Sequence, residues 1–112
     1  MSIAGDLIRG HTDAIILARL LRGDSYGYEI NKVISTLSSG RFELKEATLY
    51  TAFKRLEETG CITSYWGDSG AGARRRYYAI TQTGRQTCQK LLEEWQETKE
   101  IMDKLLEVEE WK

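Results

Sequence analysis

Proline is absent from the 112 residues, cysteine occurs twice and histidine once. With no proline to interrupt a helix, breaks must come from glycines and capping residues. Cys61 and Cys88 lie far apart in apolar-periodic segments, which argues against a disulfide scaffold and suits a reducing cytoplasm. One histidine and two such cysteines do not make a zinc-finger spacing, and a hydrolytic triad would rest on His11 alone. Neither catalysis, a metal nor a cofactor is expected. No apolar run approaches the roughly 18–20 residues that cross a bilayer. The opening Met1-Ser2-Ile3-Ala4-Gly5-Asp6 does not read as a secretory signal, so a cytoplasmic location is expected and a membrane is not an expected partner.

Charge of one sign is also lacking overall, since the formal net charge is −1. Along the chain, however, the charge is segregated. Residues 1–40 carry four basic and four acidic side chains, residues 41–84 seven and five, and residues 85–112 five and eight. Local rather than global sign decides whether a surface attracts phosphate, which directs attention to the middle third. Apolar residues at 41% and charged residues at 29% are the balance of one globular domain.

Periodicity then supplies the order of elements. A helical pattern runs from about Ile3 to Leu21 and is apolar nearly all round from Ala14 onward, as a central buried helix would be. Gly23 ends it, and Asp24 or Ser25 is placed to cap a second helix over about Tyr26–Thr36. Ser38-Ser39-Gly40 is a break, and Arg41-Phe42-Glu43-Leu44 alternates as a short strand or an extended entry does. A third helix over about Glu46–Thr59 turns Leu49, Ala52, Phe53 and Leu56 to one face and stops at Gly60. Two strands follow, Cys61–Trp66 and Arg76–Thr81, joined by the glycine-rich tip Gly67–Ala73. Thr81 is a good N-cap for a last helix reaching close to Trp111, whose stripe is Cys88, Leu91, Leu92, Trp95, Met102, Leu105 and Leu106. Three helices, a hairpin with a basic base and one more helix predict an α+β, mainly α fold, a winged helix-turn-helix. Residues 1–81 form the reading domain and residues 82–112 a dimerisation helix.

The outward face of the third helix offers Thr48, Tyr50, Thr51, Lys54 and Arg55, groups able to bond phosphates or base edges in a major groove about 12 Å wide. An ordinary solvated face has the same composition. Arg74-Arg75-Arg76 follows the tip directly, and strand alternation sends Arg74 and Arg76 to one face and Arg75 to the other. Such a wing either straddles a sugar-phosphate backbone or guards an exposed hairpin edge. Combined with the order of elements, DNA contact is favoured.

The final helix, about 29 residues or ~43 Å long, must overhang a core of ~25 Å, yet its apolar stripe continues to Leu105, Leu106, Val108 and Trp111. The economical cover is a second copy. The result is a homodimer with two reading heads, suited to a double-stranded operator with inverted-repeat half-sites ~34–36 Å apart or a multiple of that. Trp95, with Leu91, Leu92 and Met102 nearby and Ala14, Leu17 and Ala18 across from it, either seals the dimer or sandwiches a planar aromatic, especially cationic, effector. Trp66 reads as a packing residue, His11 as a satisfied or interfacial histidine, and the cysteines as inert core thiols.

Several of these residues resemble the PadR-like transcriptional regulators of bacteria. The resemblance rests on Tyr26-Gly27-Tyr28-Glu29-Ile30, on Ala47-Thr48-Leu49-Tyr50 followed by Lys54-Arg55-Leu56-Glu57, on Gly60, and on Arg74-Arg75-Arg76-Tyr77-Tyr78 with Thr81 and Gly84. It implies a dimeric winged-helix repressor with a recognition helix and a DNA-touching wing, and the DNA contacts expected here are Tyr26, Lys45, Thr48, Tyr50, Thr51, Lys54, Arg74 and Arg75. The short C-terminus is similar to a compact subgroup that includes a lactococcal multidrug-binding repressor, and Trp95 matches its drug-stacking tryptophan. An effector site would then comprise Trp95, Leu91, Leu92, Ala14, Leu17 and Lys99. Where members often open the third helix with Ser-Pro-Gly-Thr, this chain has Lys45-Glu46-Ala47-Thr48, and Lys99-Glu100 replaces an Asp-Lys pair. Two other readings belong to different classes. One is a winged-helix module for protein–protein assembly, distinguished by salt dependence, and the other a small enzyme at His11 and a cysteine, distinguished by alkylation.

Overall fold

The computed structural model describes residues 3–68 and 74–107. The helices are α1 (Ile3–Arg9), α2 (Thr12–Leu20), α3 (Gly27–Leu37), α4 (Glu46–Glu58) and α5 (Gln82–Leu105), with strands β1 (Ile62–Asp68) and β2 (Arg74–Ile80) between the last two. The single helix expected over Ile3–Leu21 is broken at Gly10-His11. Glycine costs about 1 kcal/mol inside a helix. The His11 amide instead turns back to the Ile8 carbonyl at 2.8 Å, and the Thr12 hydroxyl donates to the Arg9 carbonyl at 2.7 Å.

The core assembles around α2, whose Ile16, Leu17 and Leu20 are essentially inaccessible. Against them pack Ile30 and Ile34 from α3, Leu49, Ala52, Phe53 and Leu56 from α4, Ile62 and Tyr78 from the hairpin, and Cys88 from α5. The Phe53 and Tyr78 rings stack with centroids 3.8 Å apart. Every buried side-chain polar atom among the described residues has a hydrogen-bond partner.

Neither Asp24 nor Ser25 caps α3. Its N-cap is Tyr26 in an extended conformation, because the residues before it have other partners. Ser25 exchanges both backbone hydrogen bonds with Tyr78, adding a one-residue third strand to the sheet. Its hydroxyl donates to Glu29 at 2.5 Å, and Asp24 accepts the Tyr65 hydroxyl at 2.7 Å. Arg41–Leu44 is an extended entry and not a strand. Leu44 is held through both backbone groups by the Asn31 amide, at 2.6 and 2.8 Å, and the Phe42 amide donates to the Ser38 hydroxyl at 3.0 Å. Phe42 and Leu44 alternate inward as the pattern predicts.

β1 and β2 pair antiparallel from Ile62 opposite Ile80 to Asp68 opposite Arg74, so all three arginines lie within the ladder. Residues 69–73 of the expected tip lie outside the described residues, as do Val108 and Trp111. Thr81 caps α5 as expected, accepting from the Gly84 amide at 3.0 Å while its hydroxyl donates to the Gly60 carbonyl at 2.6 Å. Gly84 has no room for a side chain: a Cβ there would sit 2.7 Å from Ile80 Cγ1 and closer still to the Cys61 carbonyl oxygen. Small size at this one position lets α5 lie directly on the hairpin. From there α5 runs out past the core, and the molecule measures 59 × 29 × 21 Å.

Candidate nucleic-acid interface and interhelical groove

α4 turns its apolar face into the core and leaves Lys45, Ala47, Tyr50, Thr51, Lys54, Arg55 and Glu58 at its surface, with Thr48 half-buried at the flank. Lys45 is the extended N-cap, and Glu46 in the first turn complements the positive end of the helix. Lys54 and Thr51, one helical step apart, project away from the protein. Tyr50 leans back: its hydroxyl lies 3.2 Å from where a Cβ on Gly27 would stand, so the tyrosine seats on the first turn of α3, its ring edge-on to Phe53. Glycine at position 27 is thereby a close-approach residue.

Arg55 is not a free cation of this face. Its guanidinium donates to both carboxylate oxygens of Asp13 on α2, at 2.5 and 3.2 Å, and that bond raises the guanidinium pKa above its ordinary value. Forty-two residues of chain separate the pair. The wing divides its arginines as alternation predicts. Arg75 lies over the Tyr26 ring, 4.5 Å from the centroid, and donates to the Tyr26 hydroxyl at 2.6 Å. Tyr26 in turn meets Tyr77 edge-on, and Tyr77 stacks on Tyr65. The Tyr65 hydroxyl, bonded to Asp24, is held above its ordinary pKa by that bond. On the opposite face Arg76 reaches Glu57 of α4 at 3.5 Å and Ser64 at 2.9 Å, while Arg74 and Arg76 flank Trp66 at 5.4 and 5.9 Å. Trp66, read as a packing residue, is 55% exposed. Its strand leaves the core after Ile62, so the same face that is buried at one end is open at the other.

α2 and α5 converge on an open groove of about 260 Å³ lined by Ile8, His11, Ala14, Ile15, Ala18, Leu91, Leu92 and Trp95. The His11 ring meets the Trp95 indole edge-on at 5.2 Å. A more polar cleft of about 460 Å³ continues past Trp95 to Arg9, Asp13, Arg55 and Glu94. The structure thus brings Ala14, Leu91, Leu92 and Trp95 together, but not Leu17. That residue lies about 110° around α2 from the groove face at 3.6 residues per turn, where it is fully buried, and Ile15 lines the groove instead. Lys99, one turn beyond Trp95, is exposed and is not among the groove walls. Both cysteines are buried and unpaired, and burial pushes the Cys88 thiol pKa up, away from the reactive thiolate.

Sequence reasoning missed Asp13, the Ser25 strand and the exposure of Trp66. The Arg-Arg-Arg run beside Trp66 in the hairpin register was the one available signal for the last of these.

Among the described residues no helix is long and apolar enough to cross a membrane. The model of the transcriptional regulator PadR-like family matches residues 16–90. Uncharacterized protein X of Lysinibacillus sphaericus is 47% identical over 105 residues, covering 94% of this chain and 96% of that protein. A transcriptional regulator from Clostridium thermocellum superposes with a TM-score of 0.85 at 45% identity, over 95% of this chain and all of that one. The Bacillus subtilis PadR in complex with operator DNA superposes with a TM-score of 0.64 at 25% identity, over 71% of this chain and 45% of that one. A winged hairpin beside an outward polar helix, together with these matches, leads to one assignment: the chain belongs to the PadR-like family of DNA-binding transcriptional regulators and is not an enzyme.

Proposed function

We propose that the chain works as a homodimeric repressor, gripping an inverted-repeat operator with α4 and the wing, and released by a planar aromatic or cationic hydrophobic effector bound beside Trp95. Residues 1–81 do the reading and residues 82–112 the pairing. The observation that carries this reading is the exposed apolar row that runs along α5, past α2 and out onto its overhang. Leu92, Trp95, Met102, Leu105 and Leu106 are exposed there, Leu105 by 73%, at spacings that keep them on neighbouring faces. Leu7 of α1 is similarly uncovered. A row of this kind on an isolated chain is an aggregation hazard, and a second α5 laid against it removes the hazard by symmetry.

Within each protomer, Thr51 and Thr48 address the groove, Lys45, Lys54 and Arg74 the phosphates along its edges, and Arg75 a phosphate within reach of its perch on Tyr26. Tyr50 holds α4 against α3. An effector between the two Trp95 indoles, walled by Ala14, Leu91 and Leu92, favours one separation of the subunits. It therefore changes operator affinity by the difference in its own affinity for the two geometries.

The test is operator binding across a salt series. Lys45, Lys54, Arg74 and Arg75 are the four phosphate partners of each protomer, since Arg55 and Arg76 are engaged by Asp13 and Glu57. Four such cations per protomer give a dimer a slope of log K against log salt of about −7, and a lone protomer about half that. A slope near −4 with a monomer in sedimentation refutes the dimer. For the effector, a planar cationic dye should quench tryptophan emission in the native chain and not in Trp95→Ala; equal quenching in both removes Trp95 from the mechanism.

A further inference from the structure

We propose that Trp66 and Arg74 together form a sequence-independent DNA contact: the indole lies flat on the deoxyribose rings of the backbone strand that borders the groove entered by α4, and the Arg74 guanidinium bonds the adjoining phosphate. The proposal rests on the operator-binding reading above. Three observations converge on it. First, strand register places Ile62, Ser64 and Trp66 on the same face of the hairpin as Arg74, Arg76, Tyr78 and Ile80. The inner end of that face is core, with Ile62 and Tyr78 buried, while the outer end projects beyond it with Trp66 and Arg74 exposed.

Second, this face is turned towards α4. Ser64 donates to Glu57 of α4 at 2.9 Å, and Arg76 spans the same carboxylate at 3.5 Å and the Ser64 hydroxyl at 2.9 Å. Arg76 is therefore a strut that fixes the angle between wing and helix, leaving Arg74 at the outer edge. A duplex seated on Thr51 and Lys54 then passes beside the outer end of the wing.

Third, the chemistry of the pair matches a sugar-phosphate strand. An indole more than half uncovered offers a flat apolar surface to sugar carbons and no base-specific hydrogen bonding. The Arg74 guanidinium, with its Cζ 5.4 Å from the centroid of the indole, sets a cation beside the exposed apolar plane, and the contact restricts the arginine side chain. The alternating apolar and anionic surface of a backbone strand has the same pattern.

The contact is tested with a random-sequence duplex of about 30 base pairs, three helical turns, by fluorescence anisotropy of the labelled DNA at several salt concentrations. The native chain should bind it with a steep salt slope, and no binding at all by the native chain would refute the DNA-binding reading itself. Trp66→Ala should weaken binding about tenfold with an unchanged salt slope, because it removes an apolar surface without removing a cation. Trp66→Phe, which keeps a ring, should recover most of that affinity. Arg74→Gln should weaken binding and flatten the slope by about 1 for each phosphate it no longer neutralises. Both side chains are exposed, so melting temperatures should match the native chain, and the Phe variant separates the effect of stacking from any effect on stability. Native affinity in Trp66→Ala overturns the proposal, as do a slope change in Trp66→Ala, a Phe variant no better than Ala, or a native slope in Arg74→Gln.

Discussion

Gly84→Ala sets two effects of opposite sign against each other at a single methyl group. Helix propensity alone favours alanine over glycine by about 1 kcal/mol. Packing opposes it: the new carbon would lie 2.7 Å from Ile80 Cγ1, against a comfortable carbon–carbon separation of about 3.5–4 Å. The nearer obstacle is the carbonyl of Cys61, and backbone at a strand entrance does not swing aside as a flexible side-chain end does. The first turn of α5 must therefore lift by about 1 Å, the shortfall between those carbon separations. Overpacking of this kind typically costs about 1–3 kcal/mol. The same lift stretches the Gly84–Thr81 cap bond, now 3.0 Å, and loss of a cap adds about 1 kcal/mol. With the clash against backbone taken at the upper end, the net loss is about 3 kcal/mol, which for a domain of this size lowers the melting temperature by roughly 10–20 °C. Thermal unfolding followed by circular dichroism at fixed protein concentration measures it directly. A melting temperature unchanged or raised by Gly84→Ala would mean that α5 does not sit on the hairpin at this distance, and the direction in which its overhang leaves the core would be wrong with it.

The remaining perturbations address charge, association and protonation. Lys54→Ala should flatten the salt slope of DNA binding by about 1 for each phosphate it no longer neutralises, whereas Arg55→Gln should leave the slope unchanged, because Asp13 already engages that guanidinium. The Asp13–Arg55 pair is partly solvent-exposed, so Asp13→Asn should cost about 1 kcal/mol of stability or less in chemical denaturation. Met102→Lys, placed on the uncovered row of α5, should shift sedimentation towards the protomer at micromolar concentration without altering the helical spectrum. Stability should fall as the pH rises above the ordinary thiol range near about 8.5. Burial raises the pKa of the Cys88 thiol and Tyr78 phenol in the folded chain, so their contribution is complete below the unfolded values and is lost as pH climbs through the folded ones. Melting temperatures recorded between neutral and alkaline pH check the sign.

Legibility in the sequence depended on the range over which each cause acts. Local causes were readable. The spacing of Leu49, Ala52, Phe53 and Leu56 orients α4 whatever surrounds it, and Thr81 caps α5 through a residue three places away. Period-two alternation sent Arg75 to one side of the wing and Arg74 and Arg76 to the other, and that division follows from strand geometry alone. The break at Gly10-His11 was locally signalled too, but the strong apolar period on both sides of it masked a single glycine.

What escaped the sequence was pairing between distant segments. Ser25 looked like a helix cap because caps are drawn from its residue type, yet its backbone is claimed by Tyr78, far along the chain. Lys54 and Arg55 are adjacent cations on one helix, and only the position of α2 decides that one is open and the other bonded. The same holds for the groove: Ala14 and Leu17 are about one turn apart and both apolar, but α5 approaches α2 from the Ala14 side, so Leu17 fills the core. A cation count taken from sequence therefore overstates the charge offered to DNA, since Arg55 and Arg76 are both partnered across elements. The other candidate cations, Lys45 and Lys54 on α4 with Arg74 and Arg75 on the wing, sit on two elements that the Glu57–Arg76 bridge holds side by side. Eight of the chain's 17 carboxylates, by contrast, fall in residues 85–112, on or beyond the helix that runs out past the core. A chain of net charge −1 can bind a polyanion for this reason: its excess of negative charge, five basic against eight acidic side chains in residues 85–112, is displaced along its length from residues 41–84, where seven basic face five acidic ones and where the proposed DNA contacts of α4 and the wing lie.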